Sequence, residues 1–215
     1  GKEVPVNGLP SDIHVLCHNV ATAYAIYKAV YQAEPLISRI VTVTGRGINA
    51  PRNLEVDIGT SIHDCIEYCG GYKKEARALI MGGPMMGKVL ASGDEPITKT
   101  TSGIIVLPPN HSVIRDKQRN LDQMRFIAKS ACTQCSRCTD LCPRYLIGHA
   151  LEPHRIMRHL AYNPGMVGEV LEDALICSEC GVCEKFACPM MLSPREINAA
   201  IKQHLLKEFL LQSPG

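Results

Sequence analysis

Aromatic residues are scarce in this sequence of 215 residues, which has no tryptophan and only three phenylalanines. Proteins that bind single-stranded nucleic acid stack the bases on aromatic side chains and follow the phosphates with a basic groove. Basic residues exceed acidic residues by only 23 to 21, so the charge balance does not indicate such a groove. We therefore expect no nucleic acid partner.

Long hydrophobic runs are also missing. A transmembrane helix needs roughly 20 consecutive apolar residues, and no stretch of the sequence approaches that length. We expect no direct membrane insertion, so any link to a membrane would depend on partner subunits. The hydrophobic fraction of 46% nevertheless suffices for two modest cores.

A third absence concerns the glycine-rich loop whose backbone N–H groups bind flavin and dinucleotide phosphates. No Gly-x-Gly-x-x-Gly or comparable loop occurs before residue 38. Residues 13–17 predict one apolar strand in which Cys17 packs, and the alanine-rich segment up to Gln32 predicts one helix. Because one strand and one helix cannot form a core, we interpret residues 1–37 as the carboxyl edge of a larger, truncated α/β domain.

Cysteine is what the sequence has in excess, and eight of its 11 cysteines fall in two runs. In each run three cysteines are spaced two residues apart and a fourth cysteine precedes proline, a spacing typical of ferredoxins. The pattern predicts two 4Fe-4S clusters and transfer of single electrons. The first run is Cys132, Cys135, Cys138 and Cys142, and the second is Cys177, Cys180, Cys183 and Cys188.

Other interpretations of the cysteines fit less well. Structural zinc sites usually take their ligands from two separated Cys-x-x-Cys pairs, whereas here three thiols fall at equal spacing. Disulfides need an oxidising compartment, and we expect reduced thiols in a cytoplasmic setting instead. A binding or scaffold module, in which the clusters only hold the fold together, remains an alternative of another class.

Residues 38–109 consist of short β-rich segments, which predict a β-grasp-like domain. One helix interrupts them, because Ser61 and Asp64 form an N-cap pattern and two glycines follow the apolar face. Cys65 and Cys69 fall on that face, where we expect them to pack rather than to bind metal. The predicted strands are Ile40–Thr44 and Leu54–Ile58, joined as a hairpin, and Ala78–Met81 and Ile104–Leu107.

The remainder of the sequence is helical by its pattern. Residues 110–130 predict a basic connecting helix, and residues 131–215 contain both cysteine runs. Apolar residues at helical intervals leave room for two helices between Cys142 and Cys177, and Glu196 to Leu211 predicts a further helix. The predicted class is therefore α+β, with a helical two-cluster ferredoxin domain after the β-grasp-like domain.

Several motifs together carry a family resemblance. Glu34-Pro35-Leu36-Ile37 leads into residues 39–45, Gly82-Gly83-Pro84-Met85-Met86-Gly87 follows, and the two cysteine runs come last. This combination resembles the C subunit family of Rnf electron-transport complexes, of which the PduS-type cobalamin reductases of the propanediol-utilisation microcompartment are close relatives. Ferredoxin motifs alone are widespread, but their combination with the Gly82 to Gly87 motif is specific.

The resemblance implies three domains: an FMN- and NADH-binding domain, an SLBB domain and a dicluster ferredoxin domain. Residues 38–109 match the second and residues 131–193 the third, so FMN and NADH would bind to the missing amino-terminal flavin domain. It also implies that electrons from NADH pass through two 4Fe-4S clusters and reduce cob(II)alamin to cob(I)alamin. Further implied partners are an adenosyltransferase and the shell proteins of a bacterial microcompartment that encloses the protein.

One departure bears on which relative is the better guide. Residues 184–187 place four residues between the last two cysteines of the second run, whereas the Rnf C subunits keep three. This favours the cobalamin reductases over the C subunit of an ion-pumping NADH:ferredoxin complex, which stays the alternative. The Gly82 to Gly87 motif either binds a ligand such as cobalamin or forms a tight turn, and both interpretations remain open.

The way in which the two runs share their ligands can also be predicted. In two-cluster ferredoxins the cysteine before proline binds the cluster built by the other run. We therefore assign Cys132, Cys135, Cys138 and Cys188 to cluster I. Cluster II receives Cys177, Cys180, Cys183 and Cys142.

Overall fold

A computed structural model describes residues 1–5, 8–74, 76–163, 165 and 168–212, with side chains up to residue 208. The chain divides into two compact units, residues 1–115 and residues 116–215. The first contains a sheet and the second only helices and turns among its described residues, so the α+β class is confirmed. The four domain boundaries expected from the sequence remain predictions.

A five-stranded sheet forms the centre of the first unit. It contains β1 (Ser38–Thr44), β2 (Arg52–Asp57), β3 (Ala78–Met81), β4 (Lys88–Leu90) and β5 (Gly103–Leu107) in the order β2-β1-β5-β3-β4. Strands β1 and β5 are parallel and the other neighbours are antiparallel. The predicted β1–β2 hairpin is therefore confirmed, whereas β4 was missed because three residues are too short for a periodic signal.

Helix α1 (Val20–Gln32) precedes the sheet, and helix α2 (Ile62–Tyr68) follows β2. Helix α2 covers the sheet and closes the core of this unit. Helix α2 begins at Ser61, whose hydroxyl accepts a hydrogen bond of 3.0 Å from the backbone N–H of Asp64. Cys65 and Cys69 are both buried in the core, as predicted. They pack in one cluster with the inward-facing side chains of the sheet, among them Val41, Val43, Ile104 and Val106.

The segment before the sheet differs from the sequence prediction. Residues 13–17 form no strand, because a 3-10 turn at Pro10–Ile13 ends at His14, whose φ is 61°. No strand among the described residues lies beside this segment to pair its backbone, and Cys17 is exposed rather than packed. Helix α1 has no buried residue. The structure does not show a remnant of a flavin domain here, so that assignment remains a prediction.

The predicted connecting helix over residues 110–130 is two helices. They are α3 (Ser112–Lys117) and α4 (Leu121–Ala131). The break occurs because Asn120 starts a new helix with a reciprocal capping box: its side chain accepts a 2.9 Å hydrogen bond from the Gln123 backbone, and the Gln123 side chain accepts one from Asn120. Such a cap satisfies two backbone donors that a continuous helix would have bonded internally.

The second unit combines longer and shorter helices. Helices α7 (Pro153–Tyr162) and α9 (Pro194–Gln212) supply much of its core, which includes Ile156, Leu160, Leu171, Ile197 and Ile201. Within the described ranges, no helix is both long and apolar enough to cross a membrane. After α4 the helices are α5 (Arg137–Asp140), α6 (Pro143–Leu146), α7 (Pro153–Tyr162), α8 (Glu169–Glu172) and α9 (Pro194–Gln212).

Candidate metal centres

The two cysteine runs share one backbone conformation. In the first run Gln134 and Ser136 have φ angles of 55° and 59°, and in the second run Glu179 and Gly181 have φ angles of 56° and 83°. These are equivalent positions, on either side of the middle cysteine of each triplet. Left-handed residues turn the chain sharply, so each run curls around a cavity instead of continuing as a helix.

The first cavity is lined by Cys132, Cys135 and Cys138 of the first run. The fourth cysteine at this cavity is Cys188, the last of the second run. Apart from the half-buried His154, the side chains around the thiols carry no titratable group. The remaining lining residues are Thr133, Gln134, Ser136, His154, Met157, Pro189, Met190, Leu192 and Pro194.

The second cavity mirrors the first. Its cysteines are Cys177, Cys180 and Cys183 of the second run with Cys142 of the first. The structure thus brings together the four thiols that the crossed assignment gives to each cluster. Ligation of a cluster by these thiols remains a prediction.

Proline directs the chain away from each cavity after the fourth cysteine. Cys142 is the N-cap residue of α6, and its backbone N–H donates a 2.9 Å hydrogen bond to the carbonyl of Thr139. Pro143 then occupies the first helical position, where its missing N–H costs no hydrogen bond. The same Cys-Pro step follows the π turn at Cys188.

Burial controls the protonation of the inner thiols. Burial, together with the neighbouring Cys188 and Cys132 thiols, raises the pKa of Cys138 to about 12. Burial likewise raises the pKa of Cys177 and of Cys183, the latter also through the charges of Cys177 and Cys138. In the absence of metal these thiols are protonated at neutral pH, and binding of a metal group has to displace their protons.

The cavities fit iron–sulfur clusters by the chemistry of their donors. Each offers four sulfur atoms, and several N–H groups already point at sulfur. The Gln134 side chain donates to Cys132 Sγ at 3.1 Å, and the backbone of Leu192 donates to Cys188 Sγ at 3.4 Å. Sulfur atoms bonded to iron carry negative charge and accept such hydrogen bonds. Sequence analysis missed both donors, although the position of Gln134 inside Cys-x-x-Cys could have indicated one.

The extra residue of the second run produces a π turn at Cys183–Ala187. A π turn absorbs one additional residue inside a helical segment. It directs Lys185 towards its carboxylate partners Glu184 and Asp116, with Nζ to carboxylate oxygen distances of 2.9 and 3.1 Å. Burial lowers the pKa of Lys185, but hydrogen bonds and charges from these two partners outweigh it and hold the pKa above its ordinary value. The sequence pattern did not predict this ion network.

Comparison with known protein families agrees with these two sites. A family model described as a 4Fe-4S dicluster domain matches residues 131–193, which include all eight cysteines of the two runs. A second model, described as an SLBB domain, matches residues 40–89. This chain joins an SLBB domain to a 4Fe-4S dicluster domain. The predicted presence of both domains is confirmed, whereas their boundaries remain predictions.

Individual relatives confirm the predicted resemblance. The chain is 42% identical over 205 residues to "Cobalamin reductase PduS" of Citrobacter freundii, and 40% identical to that of Salmonella typhimurium. Each alignment covers 95% of this chain and 45% of the relative, so the chain spans less than half of their length. The C subunit of a proton-translocating ferredoxin:NAD(+) oxidoreductase complex of Clostridium ljungdahlii is 41% identical over 68% of this chain and 29% of its own length.

The Gly82 to Gly87 motif lies within the SLBB match and forms the loop between β3 and β4. The backbone N–H of Gly87 donates a 2.8 Å hydrogen bond to the carbonyl of Gly83. A Cβ on Gly87 would lie 2.4 Å from that carbonyl oxygen, and Gly82 has a φ of 95°. The tight hairpin therefore accounts for Gly82 and Gly87. Pro84, Met85 and Met86 form the tip of the loop, and a ligand there remains a prediction.

Proposed function

We propose that this chain is the electron-transfer portion of an NADH-dependent flavin and iron–sulfur oxidoreductase. In this proposal single electrons pass through two 4Fe-4S clusters and reduce cob(II)alamin to cob(I)alamin. The proposal rests on one observation: each cavity gathers three cysteines of one run and the last cysteine of the other. Each site therefore needs residues of both runs, so neither run can form a complete site by itself.

When bound, a 4Fe-4S cluster accepts and releases one electron at a time. The chain's own residues supply the remaining requirements. Cys132, Cys135, Cys138 and Cys188 would hold cluster I, and Cys177, Cys180, Cys183 and Cys142 would hold cluster II. Apolar side chains such as Met157 and Leu151 line the cavities and limit access of water. Backbone and side-chain N–H groups would stabilise the sulfur charge.

Cobalamin is the proposed acceptor because of the extent of similarity. The alignments with the two cobalamin reductases cover 95% of this chain, whereas the alignment with the Clostridium ljungdahlii protein covers 68%. The interval of four residues before Cys188 also favours the cobalamin reductases over the Rnf C subunits. FMN and NADH would bind to a flavin domain outside this sequence, and an adenosyltransferase and the shell proteins of a microcompartment would be the further partners.

A second candidate function is that of the C subunit in a membrane ion-translocating oxidoreductase complex. The 41% identity over 146 residues to such a protein supports it. The two candidates share the clusters and differ in the electron acceptor. Reduction of cob(II)alamin by the loaded chain therefore discriminates between them.

The first test is anaerobic reconstitution of the chain with iron and sulfide. We expect about eight iron and about eight sulfide per chain, as two cubane clusters require. Stoichiometric zinc, or four iron without sulfide, would contradict the proposal. The loaded chain is then reduced with dithionite, freed of excess reductant and mixed with cob(II)alamin, and formation of cob(I)alamin is followed by absorbance.

A variant in which each site lacks one thiol, Cys135→Ser with Cys180→Ser, is the control for direct chemical reduction, and its iron content is measured in parallel. Reversible one-electron EPR signals in the loaded chain would support electron transfer. Clusters that cannot be reduced unless the protein unfolds would instead support the scaffold module. Reducible clusters that leave cob(II)alamin untouched would favour the ion-translocating complex.

A further inference from the structure

The two candidate centres differ in the group that donates a hydrogen bond to the first cysteine of each run. At the first centre the donor is a side chain, because Gln134 Nε2 lies 3.1 Å from Cys132 Sγ. At the second centre the donor is the backbone N–H of Glu179, which lies 3.4 Å from Cys177 Sγ. Gln134 and Glu179 occupy equivalent positions and have nearly equal φ angles of 55° and 56°. Equivalent residues thus donate through different groups, the side-chain amide of Gln134 and the backbone N–H of Glu179.

The side chain of Glu179 is engaged elsewhere. Its carboxylate lies 3.8 Å from the guanidinium of Arg195, whose Nε also donates a 3.1 Å hydrogen bond to the Glu179 carbonyl. A carboxylate has no N–H to offer, so it cannot replace the amide of glutamine at this position. The first centre thus has a neutral side-chain donor where the second has an anion.

The direction of the amide follows from the chemistry of sulfur. A cysteine sulfur bonded to iron has lost its proton and can only accept a hydrogen bond. The amide must then present Nε2 to sulfur, as it does in the structure. Reduction adds one negative charge to a cluster, and an N–H donor stabilises the more negative state more strongly.

We propose that Gln134 is a positioning residue that raises the reduction potential of the centre held by Cys132, Cys135, Cys138 and Cys188. This inference rests on the proposed function, since it requires a cluster at that centre. The residue acts through Cys132 and contacts no substrate. Because the other centre lacks a side-chain donor at the equivalent position, Gln134 makes the potentials of the two centres different.

Three substitutions in the full chain test the inference. Gln134→Met keeps the length of the side chain but removes the donor, Gln134→Glu places the acid of the second run at this position, and Gln134→Lys retains an N–H donor and adds positive charge. Gln203→Met is the matched control, because it makes the same change at an exposed glutamine on α9 that lines neither cavity. Each variant is reconstituted anaerobically, its iron and sulfide are counted, and both one-electron transitions are titrated by EPR.

We expect one of the two transitions to move and the other to stay. Gln134→Met should shift the equilibrium of that transition about tenfold towards the oxidised form, which is about 59 mV for a one-electron couple. Gln134→Glu should shift it further in that direction, and Gln134→Lys should leave it at or above the wild-type potential. Gln203→Met should leave both transitions unchanged. Gln134→Met and Gln134→Glu should lower the reduction potential, whereas Gln134→Lys should not. Two variants that bind clusters, Gln134→Lys and one of the others, therefore suffice for the test.

Unchanged transitions in fully loaded variants would overturn the inference while leaving the proposed function intact. An equal shift of both transitions would overturn it as well, because a general loosening of the fold affects both centres. If the wild-type chain binds no clusters, the proposed function fails and the inference fails with it. Cluster content in the wild type therefore separates the two failures.

Discussion

Left-handed residues in the two cysteine runs explain how a short segment surrounds a cluster. Glycine adopts this conformation without steric cost, whereas other residues lose about 1–2 kcal/mol. Gly181 occupies such a position in the second run, and the equivalent position of the first run is Ser136. The two runs therefore have the same shape but different local costs.

Substitution at these two positions should have opposite effects on stability. Gly181→Ala should lower the free energy of unfolding by about 1 kcal/mol, because a Cβ disfavours a φ of 83°. Ser136→Gly should leave the free energy unchanged or raise it by up to about 0.5 kcal/mol, the relief of strain being partly offset by backbone entropy. Anaerobic urea unfolding of the loaded chain measures both. Equal destabilisation by the two changes would argue against a common shape of the runs.

The crossed sharing of ligands is tested by single serine variants. Cys188→Ser should perturb the same EPR signal as Cys135→Ser, because both sulfurs line the first cavity. In Cys188→Ser, the EPR signal that Cys180→Ser removes should remain nearly intact, since Cys180 lines the other cavity. If Cys188→Ser and Cys180→Ser remove the same signal, each run closes on its own cluster and the crossed assignment is wrong.

At the scale of elements, the π turn at Cys183–Ala187 links the second run to an ion network. Lys185 joins Glu184 and Asp116, whose side chains are only 4% and 10% exposed. A third partner, Arg119, lies 3.0 Å from Asp116. Because buried carboxylates need a counterion, the turn and the residues at the start of the unit stabilise each other.

Removal of the central cation should therefore be costly. Lys185→Met should lower the free energy of unfolding by about 3 kcal/mol, since it leaves two poorly solvated carboxylates with less positive charge nearby. Lys207→Met, which changes an exposed lysine on α9, is the control and should have an effect within about 0.5 kcal/mol. Both are measured by anaerobic urea unfolding of the loaded chain.

A double variant separates the ion network from general packing. Adding Asp116→Asn to Lys185→Met should recover part of the lost stability, because it removes one of the uncompensated charges. Losses that simply add in the double variant would show that the two residues do not interact, and the network would then have no energetic role.

At the scale of the whole molecule, the proposal that FMN and NADH bind outside this sequence can be tested directly. The chain alone should neither retain FMN nor oxidise NADH, because the sequence before residue 38 lacks a glycine-rich loop for phosphate. The loaded chain should still accept electrons from dithionite. Gel filtration with FMN, followed by flavin fluorescence and an NADH absorbance assay, makes the measurement. Stable FMN binding would reveal a flavin site in the SLBB or dicluster region.

Features specified by nearby residues were predictable from the sequence. The Ser61 N-cap, the β1–β2 hairpin and the burial of Cys65 and Cys69 all depend on neighbours within a few positions, and the structure agrees with them. The spacing of the two cysteine runs likewise indicates iron–sulfur chemistry. The break at Asn120 was missed although its capping box is local, because the basic pattern on both sides was interpreted as one helix.

Features that depend on distant residues were decided only by the tertiary structure. Residues 13–17 have the composition of a strand, but a strand requires a partner, and the described residues offer none beside it. The interval of residues 184–187 shows that the second run has one extra residue. Its effect is a π turn that brings Lys185 to Asp116, which lies 69 positions away in the sequence, and this contact exists only in the folded chain. Spacing supplies three thiols for each cluster. The ferredoxin rule predicted that Cys188 and Cys142 cross to opposite cavities, but the packing that brings them there involves residues far apart in the chain and was seen only in the structure.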